Sequence, residues 1–409
     1  MLSVAKMNLN RLPVGKASAT ISTMKQATSV RVAFRCLIAM VVAVSMVQTA
    51  SALNAWRVWT GGDGVAGGSG VWTADSLTWS TADSGGGTQV SQYRDKLKFP
   101  DDLGDPGAAA TITVGDSVEI EGTVYFTARQ LTLDGTGPIT VSNGLAVTVY
   151  PQASTTINCP IQLLNSNMNI AVKMDNKDEP SNTFESACLT INSNVTVPRI
   201  ILYCGTLILN GDVTITASNG AIGSYQAQAG AFFGHLYLNG RCTGAAGSVI
   251  SQDSIISGTG TIELQSGRTV AVYGRMQPGG VDEPGTLTVT STGNAGYASF
   301  YEGSELDFRV DLDADKADKL VLGNNSHLQS LVGNKVTDDI ATIRICVTGK
   351  TTTPRTYQLF DVAQGCKGSR FLYVIEKDAS CKADVTFDEP TGVLTVTPAK
   401  PKGLMLILR

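Results

Sequence analysis

The sequence has 409 residues, of which 43% are apolar and 16% are charged, whereas a typical soluble domain is about 25% charged. The apolar fraction is high enough to build a core, which excludes wholesale disorder. The 31 basic and 35 acidic residues leave no cationic surplus, which argues against nucleic acid as a partner.

Residues 1–52 have the composition of a secretory signal peptide. They contain six Lys or Arg residues and no Asp or Glu. An apolar run from Cys36 to Val47 precedes the small-residue site Ala50-Ser51-Ala52, after which we expect cleavage. Met24 is an alternative start, because the segment that follows it has the normal proportions of a signal peptide. An uncleaved signal anchor is the other interpretation.

Cleavage removes six positive charges and no negative ones, so the net charge changes from −4 to −10. No later segment reaches the 18 apolar residues of a membrane-spanning helix, so no integral membrane span is expected in the mature protein. We therefore expect an exported protein, at the cell surface or in the extracellular space. The periplasm is the alternative location.

Residues 53–108 hold all four tryptophans, Trp56, Trp59, Trp72 and Trp79, around a glycine-rich segment. That segment lacks the Lys-Ser/Thr and the helix of a phosphate-binding loop. The tryptophans predict a cap on the open end of a solenoid, because the first coil has no neighbour that buries its core. A flat platform that stacks on sugar rings is the alternative interpretation.

From residue 109 to 345, short runs of Val, Ile, Leu, Thr and Tyr alternate with Gly, Asn, Asp and Ser. Aliphatic residues alternate with Thr or Ser within the runs, as in half-buried strands. A unit of the form Leu-x-Leu-(Asn/Asp)-Gly recurs at Leu131, Leu207 and Leu236. We interpret it as a strand that enters a tight turn, where Asn or Asp tolerates a positive φ and Gly favours one.

Strand-turn units at irregular spacing predict an all-β fold, a right-handed parallel β-helix. A β-sandwich is the alternative. Residues 346–409 continue the strand pattern and are expected to form a C-terminal β cap that closes the solenoid. The apolar run Leu404–Leu408 belongs to this cap or, alternatively, pairs edge to edge with another copy of the chain.

Two groups of short motifs along the chain carry a resemblance to a known family. Early motifs are Trp59-Thr-Gly-Gly-Asp, Gly70-Val-Trp72, Leu77-Thr-Trp79 and Asp95-Lys-Leu-Lys-Phe99. Later motifs are Ser257-Gly-Thr-Gly-Thr-Ile262, Gly274-Arg-Met-Gln-Pro-Gly-Gly280, Glu283-Pro-Gly-Thr-Leu-Thr-Val289, Ala317-Asp-Lys-Leu-Val-Leu322 and Tyr357-Gln-Leu-Phe-Asp361.

In these motifs the sequence resembles the autotransporter-associated β-strand repeat proteins, which are exported bacterial proteins with passenger-like β-helices. Met276 and Glu283 depart from the Leu and Ser that are usual in that family. The resemblance implies a β-helical scaffold and no catalytic residues. An autotransporter barrel is not expected, because the residues after the motifs are too few for its alternating strands.

Seven cysteines follow the predicted signal peptide, and none forms a C-x-x-C pair, so a structural zinc site is not expected. Cys366 and Cys381 are each followed by Lys and flanked by loop residues, which makes them candidates for a disulfide in an oxidising compartment. Cys188 and Cys346 lie in apolar, strand-like runs, where we expect small buried residues.

Asp311, Asp313 and Asp315 stand at every second position, as at the start of a calcium loop. Lys316 replaces the glycine of that motif and Leu322 replaces its bidentate glutamate, so a solvated turn is the alternative. Calcium is the one cofactor that the sequence suggests.

The sequence offers little for catalysis. With two histidines, it holds no recognisable triad and no metal-spaced His cluster. Asp175 and Lys177 would suit a β-helical polysaccharide lyase or glycosidase, although their polar neighbours indicate an exposed loop. We expect a non-enzymatic, adhesin-like scaffold whose partner is an extracellular or cell-surface polysaccharide or another copy of the chain. The alternatives are such a lyase or glycosidase, and a glycan-binding module built on the tryptophans.

Overall fold

The computed structural model describes residues that all lie in Asn54–Arg409, the second of the two units into which the chain divides. These residues are 56–61, 66–73, 75, 79–80, 96–100, 105, 107–120, 122, 124–142, 146–149, 153–165, 169–172, 187–202, 204–218, 220–223, 233–293, 295–323, 326–332, 335–362 and 371–399. The predicted signal peptide, Asp175, Lys177, Cys366 and the run Leu404–Leu408 lie outside them.

The described residues form 39 β-strands in four sheets and contain no helix. Sheet A consists, in spatial order, of β3 (Trp79–Ser80), β1 (Trp56–Trp59), β4 (Lys96–Phe99), β7 (Val124–Phe126), β10 (Ala146–Val149), β13 (Asn169–Val172), β16 (Ile200–Leu202), β19 (Ala221–Gly223), β22 (Gly247–Ile250), β25 (Arg268–Val272), β28 (Gly296–Tyr301), β32 (Ser326–Val332) and β33 (Lys335–Val336).

Sheet B consists of β2 (Gly70–Trp72), β5 (Ala110–Val114), β8 (Gln130–Gly135), β11 (Ser154–Ile157), β14 (Cys188–Ile191), β17 (Cys204–Leu209), β20 (Phe233–Leu238), β23 (Ile255–Gly258), β26 (Arg275–Pro278), β29 (Glu305–Asp311), β34 (Thr342–Thr348) and β37 (Leu372–Lys377), with β30 (Lys316–Ala317) beside β29.

Sheet C consists of β36 (Phe360–Val362), β31 (Lys319–Leu322), β27 (Thr286–Ser291), β24 (Thr261–Leu264), β21 (Arg241–Ala245), β18 (Val213–Ile215), β15 (Val195–Val197), β12 (Ile161–Leu163), β9 (Ile139–Val141) and β6 (Val118–Ile120). Sheet D consists of β35 (Arg355–Gln358), β39 (Val393–Thr397) and β38 (Asp384–Asp388).

Successive strands visit sheets A, B and C in turn, so that β4, β5 and β6 form one coil and β7, β8 and β9 form the next. This cycle continues to the coil of β32, β34 and β36, and strands of adjacent coils pair in parallel. The fold is therefore the predicted parallel β-helix. In the part of the chain that the structure describes, no helix is long and apolar enough to cross a membrane.

Alternation along each strand decides which side chains fill the core. On β5, Ile112 and Val114 are buried while Thr111 and Thr113 are exposed. Because the coils are in register, each buried aliphatic side chain packs on that of the next coil in a continuous core. Burial of one such side chain contributes about 1.5–3 kcal/mol.

The N-terminal end of this core carries the predicted tryptophan cap. Trp59, Trp72 and Trp79 are at most 1% exposed, and the ring of Trp79 packs edge-on against the other two, with centroids 5.2 and 5.7 Å away. All three rings contact Phe99 on β4, which stacks on Phe126 of the next coil at 5.4 Å. The cap thus extends the core by one aromatic layer.

Antiparallel sheet D forms the predicted β cap at the C-terminal end. The ring of Phe387 on β38 packs edge-on against Phe360 and Tyr373, with centroids 5.9 and 5.6 Å away. Leu394 and Val396 on β39 are fully buried. The parallel sheets continue past residue 345, because β36 belongs to sheet C and β37 to sheet B.

The three Leu-x-Leu units all lie in sheet B, as strand ends. The predicted positive φ occurs at Gly135, with a φ of 127°, but not at Asn210 or Asn239. At Gly240 the glycine is needed for space instead, because a Cβ there would lie 2.1 Å from the carbonyl oxygen of Gly211 on the preceding coil. Position 240 therefore requires glycine because the coils stack closely. The sequence of a single strand does not reveal this requirement.

Candidate functional site

Sheet B presents two uncharged columns of polar side chains to solvent over its first coils. Thr111, Thr132, Thr156 and Thr190 lie in register on β5, β8, β11 and β14. A second column on the same side consists of Gln130, Ser154, Cys188 and Thr206. Neighbours within a column are about 4.8 Å apart, and the columns are about 6.6 Å apart. We call these two columns the hydroxyl face.

An asparagine ladder borders the hydroxyl face at the ends of the strands. Asn192 Nδ2 donates to Asn158 Oδ1 at 2.8 Å, and Asn210 Nδ2 donates to Asn192 Oδ1 at 2.7 Å. Asn239 Nδ2 donates in turn to Asn210 Oδ1 at 2.7 Å. Each middle amide uses one donor and one acceptor in the ladder, which leaves it one N–H group and lone-pair capacity for a ligand.

The hydroxyl face can therefore offer regularly spaced, uncharged hydrogen-bonding groups. The Thr methyl groups add apolar contact surface between the hydroxyls. An extended molecule with hydroxyl groups could lie along the helix axis and meet the same kinds of groups at each coil. The sequence predicted the strands, but the columns arise only when distant strands stack in register.

His235 and Tyr237 on β20 follow the hydroxyl face along sheet B. Their rings stack, with centroids 3.9 Å apart, and His235 Nε2 forms a 2.7 Å hydrogen bond with Ser257 Oγ. Burial lowers the pKa of His235 to about 4, and the charges of Arg275 and Arg309 lower it further in the same direction. The imidazole is therefore neutral at pH 7.

The next coils of sheet B carry an ionised network, which we call the charged face; it consists of Arg275, Glu305, Asp307, Arg344 and Glu376. The Glu305 carboxylate binds two coils at once, with Arg275 Nη2 and Arg344 Nη2 each 2.9 Å from its oxygens. Arg275 Nε lies 3.1 Å from Asp307 Oδ2, and Arg344 Nε lies 3.8 Å from Glu376 Oε1. The network links four successive strands of the sheet.

Asp307 is the unusual member of the charged face. The residue is 7% exposed, and its Oδ1 has no hydrogen-bond partner among the described residues. Burial raises the pKa of Asp307 to about 6, and the nearby positive charge of Arg275 opposes this increase. Asp307 is therefore a carboxyl group that changes its charge in mildly acidic solution.

The motifs of the β-strand repeat resemblance meet at a buried ion pair beside the charged face. Asp318, which is fully buried, accepts hydrogen bonds from Arg309 N and Nε and from Gly285 N at 2.8–2.9 Å. Arg309 Nη2 also donates to the carbonyl oxygens of Gly280 and Glu283. The ion pair thus holds the loop Pro278-Gly279-Gly280 against the next coil.

This ion pair explains two features of the sequence. Gly279 has a φ of 103°, and a Cβ there would lie 2.2 Å from Asp318 Oδ1, so that position requires glycine. Asp318 belongs to the same acidic run as the three predicted calcium ligands, yet its role is to hold the loop. The sequence does not indicate the role of Arg309, because no motif marks that residue.

The predicted calcium ligands do not converge. Asp311 Oδ1 accepts hydrogen bonds from the backbone of Asp313 and Ala314, and Asp313 Oδ1 accepts one from Lys350 N. Asp315 accepts from Tyr357 Oη at 2.9 Å. No group of three or more His, Cys, Asp or Glu side chains in the described residues is arranged to hold a metal ion. The geometry of the run is that of a hydrogen-bonded turn.

Three of the four tryptophans are not accessible for the alternative sugar platform. The rings of Trp59, Trp72 and Trp79 are buried in the cap, so they offer no free face to a ligand. The side chain of Trp56 lies outside the described part of the structure. The three rings are buried because the first coil has no neighbour at the open end of the solenoid. The large rings replace the contacts that a further coil would make.

The cysteines differ from the expectation in part. Cys188 and Cys346 are half-exposed rather than buried, because alternation along β14 and β34 turns them to the outer face of sheet B. Cys159 and Cys242 are buried instead, and burial raises their pKa to about 11 and about 12. Cys381 is buried; its disulfide with Cys366 stays a prediction, since Cys366 is outside the described residues.

No protein-family model matches the chain, and no curated protein matches its sequence. The structure shows a β-solenoid built from parallel strands, which is the architecture that the resemblance implies.

Proposed function

We propose that this protein is an exported, non-enzymatic β-helical scaffold of the cell surface or extracellular space, akin to the autotransporter-associated β-strand repeat proteins, and that its hydroxyl face holds an extended neutral polysaccharide. The hydroxyl face carries this proposal. Its columns are uncharged, reach solvent and each repeat over four successive strands, and the asparagine ladder beside them retains free hydrogen-bonding capacity.

The rigidity of the scaffold supports the binding role. Each coil pairs with both neighbours, so the strands that carry the Thr residues are fixed relative to one another, and the Asn side chains are held by the ladder. Binding of a ligand therefore costs the protein little conformational entropy. Because each single contact is weak, affinity depends on many repeated contacts along one polymer, and a short oligosaccharide should bind far more weakly than a polymer.

A binding assay tests the hydroxyl face. Residues 53–409 are mixed with insoluble neutral polysaccharides such as cellulose and chitin, and the bound fraction is measured. The double variant Thr156→Arg, Thr190→Arg places two large charges in one column and is expected to weaken binding at least ~10-fold, since each lost or blocked contact costs about 1 kcal/mol. Equal binding by the variant contradicts the proposal.

The matched control is Thr196→Arg, Thr214→Arg. These two threonines also lie in register and face outward, but they belong to sheet C. The control variant is expected to bind as the unchanged protein does. Equal loss in both double variants would indicate a nonspecific effect of added charge.

Surface location is tested separately with an antibody to residues 53–409. Protease treatment of intact cells is expected to remove the signal, because a surface scaffold is accessible from outside. Protection from protease, with the protein in a soluble periplasmic fraction, contradicts the surface role and favours the processing of polysaccharides in the periplasm.

The charged face favours a second candidate, cleavage of glycosidic bonds. Asp307 and Glu305 point to the same side of β29, and one oxygen of each lies 3.1 Å from Arg275 Nε, so these two oxygens are no more than about 6 Å apart. That upper limit is below the spacing of an inverting glycosidase and includes the spacing of about 5–5.5 Å between the carboxyl groups of a retaining one. Protonated Asp307 would act as the acid and Glu305 as the nucleophile.

This second candidate has its own test. Neutral and acidic polysaccharides are incubated with the protein at pH 5–6, and new reducing ends are counted. Activity that Asp307→Asn and Glu305→Gln each abolish supports the glycosidase. Absence of new reducing ends with every polysaccharide, alongside retained binding, supports the scaffold.

A further inference from the structure

The last strand of sheet B has an open edge. β37 pairs with β34 on one side, and no strand among the described residues pairs with its other side. Leu372, Tyr373 and Val374 on β37 are 50, 50 and 47% exposed. An exposed, apolar strand edge is a ready site for another strand.

The chain leaves its last described strand close to this edge. Thr397, at the end of β39, pairs with Asp384 on β38. The carbonyl oxygen of the preceding residue, Ala383, accepts a 3.0 Å hydrogen bond from Lys377 Nζ at the end of β37. A segment that follows β39 therefore starts beside the Lys377 end of β37.

The sequence after β39 suits a short connection followed by a strand. Pro398 and Pro401 interrupt any further pairing of β39, and Gly403 permits a sharp turn. Leu404–Leu408 then supplies five consecutive apolar residues, a length of about 17 Å in a strand. The six residues 398–403 can reach up to about 20 Å, which is ample for the turn.

We propose that Leu404–Leu408 of the same chain pairs antiparallel with the open edge of β37 and completes the C-terminal cap. A run that is apolar on both sides fits here, because Leu372 and Val374 face one side of β37 and Tyr373 faces the other. The short connection favours this segment over a second copy, since closing a short loop costs less entropy than bringing two molecules together.

Amide hydrogen exchange tests the pairing at individual residues. Leu372 N donates to Ala341 and Asp378 N to Val347, so the alternate amides of Tyr373, Ile375 and Lys377 point to the open edge. In the chain of residues 53–409 these three amides are expected to exchange at least ~10-fold more slowly than in a chain that stops after Ala399. Equal exchange in the two chains overturns the proposal.

A second variant tests the same pairing without shortening the chain, in case the chain that stops after Ala399 does not fold. Leu406→Asp in the chain of residues 53–409 is expected to expose the same three amides, while those of Leu372 and Asp378 stay protected. Leu164→Asp, at a residue that is 52% exposed elsewhere, is the control and should leave all five amides unchanged. If Leu406→Asp also leaves them unchanged, the proposal is wrong.

The dependence on protein concentration distinguishes the two candidate occupants of the β37 edge, which are Leu404–Leu408 of the same chain and a second copy of the chain. For a segment of the same chain, protection of the three amides is independent of protein concentration and light scattering gives the monomer mass. Protection that grows with concentration, together with a dimer mass, assigns the edge to a second copy and overturns the proposal.

Discussion

The two halves of sheet B share one interior and differ entirely outside. Leu189 in the first half and Leu306 in the second are both fully buried in the same core. Outside, the first half bears the hydroxyl face and the second bears the charged face. The apolar core and the parallel pairing of strands are common to both halves, whereas the outer side chains differ between them.

The largest expected effect lies in the second half. Asp318→Ala leaves Arg309 without its buried partner, and removal of one member of a buried ion pair typically costs about 3–5 kcal/mol. The free energy of unfolding is measured by urea denaturation. Glu283→Ala, which removes an exposed partner of Lys316, is the control and should leave stability unchanged. A similar effect of both changes would show that the buried pair is not special.

The next effect is a pH dependence that the hydroxyl face lacks. The folded pKa of Asp307, about 6, lies above its ordinary value of 3.8, so between pH 4 and pH 6 the folded protein holds a proton that the unfolded chain has released. The contribution of Asp307 to the free energy of unfolding therefore decreases as the pH rises through this window, by up to about 3 kcal/mol.

Asp307→Asn removes this titration. The stability of the variant relative to the unchanged protein is expected to increase from pH 4 to pH 6 and to level off above that range. Urea denaturation at several pH values gives the difference directly. A difference that stays constant from pH 4 to pH 8 would contradict the pKa assigned to Asp307.

A smaller effect is expected inside the first half. Thr155 is buried among the aliphatic residues of sheet B, and its hydroxyl has no partner among the described residues. Thr155→Val removes an unsatisfied polar group of similar volume and is expected to stabilise the protein by about 1–2 kcal/mol. Thr156→Val, one residue away on the outer face, is the control. Destabilisation by Thr155→Val would show that its hydroxyl has a partner.

The smallest effect belongs to the asparagine ladder. Asn210→Ala breaks two exposed side-chain hydrogen bonds, to Asn192 and Asn239, and is expected to cost about 1 kcal/mol, because water replaces much of what is lost. Thermal denaturation measures the change. A loss as large as that of Asp318→Ala would contradict the division of the sheet into a polar half and an ion-paired half.

The sequence alone was sufficient for the architecture. Alternation of aliphatic and hydroxyl residues predicted short half-buried strands, and the repeated Leu-x-Leu units predicted their stacking in a solenoid. The tryptophans predicted a cap. These features depend on residues that are close together in the sequence and on the burial of apolar surface. Local sequence patterns are therefore enough to predict them.

The tertiary structure decided the outer face. Thr132 and Thr190 are 58 positions apart in the sequence, and they join one column only because the strand between them brings both into register. Asp307 depends likewise on Arg275 from another coil, and Gly240 on the backbone of the coil before it. Core positions are encoded locally by polarity, whereas the partners of surface groups depend on coil lengths that follow no fixed period.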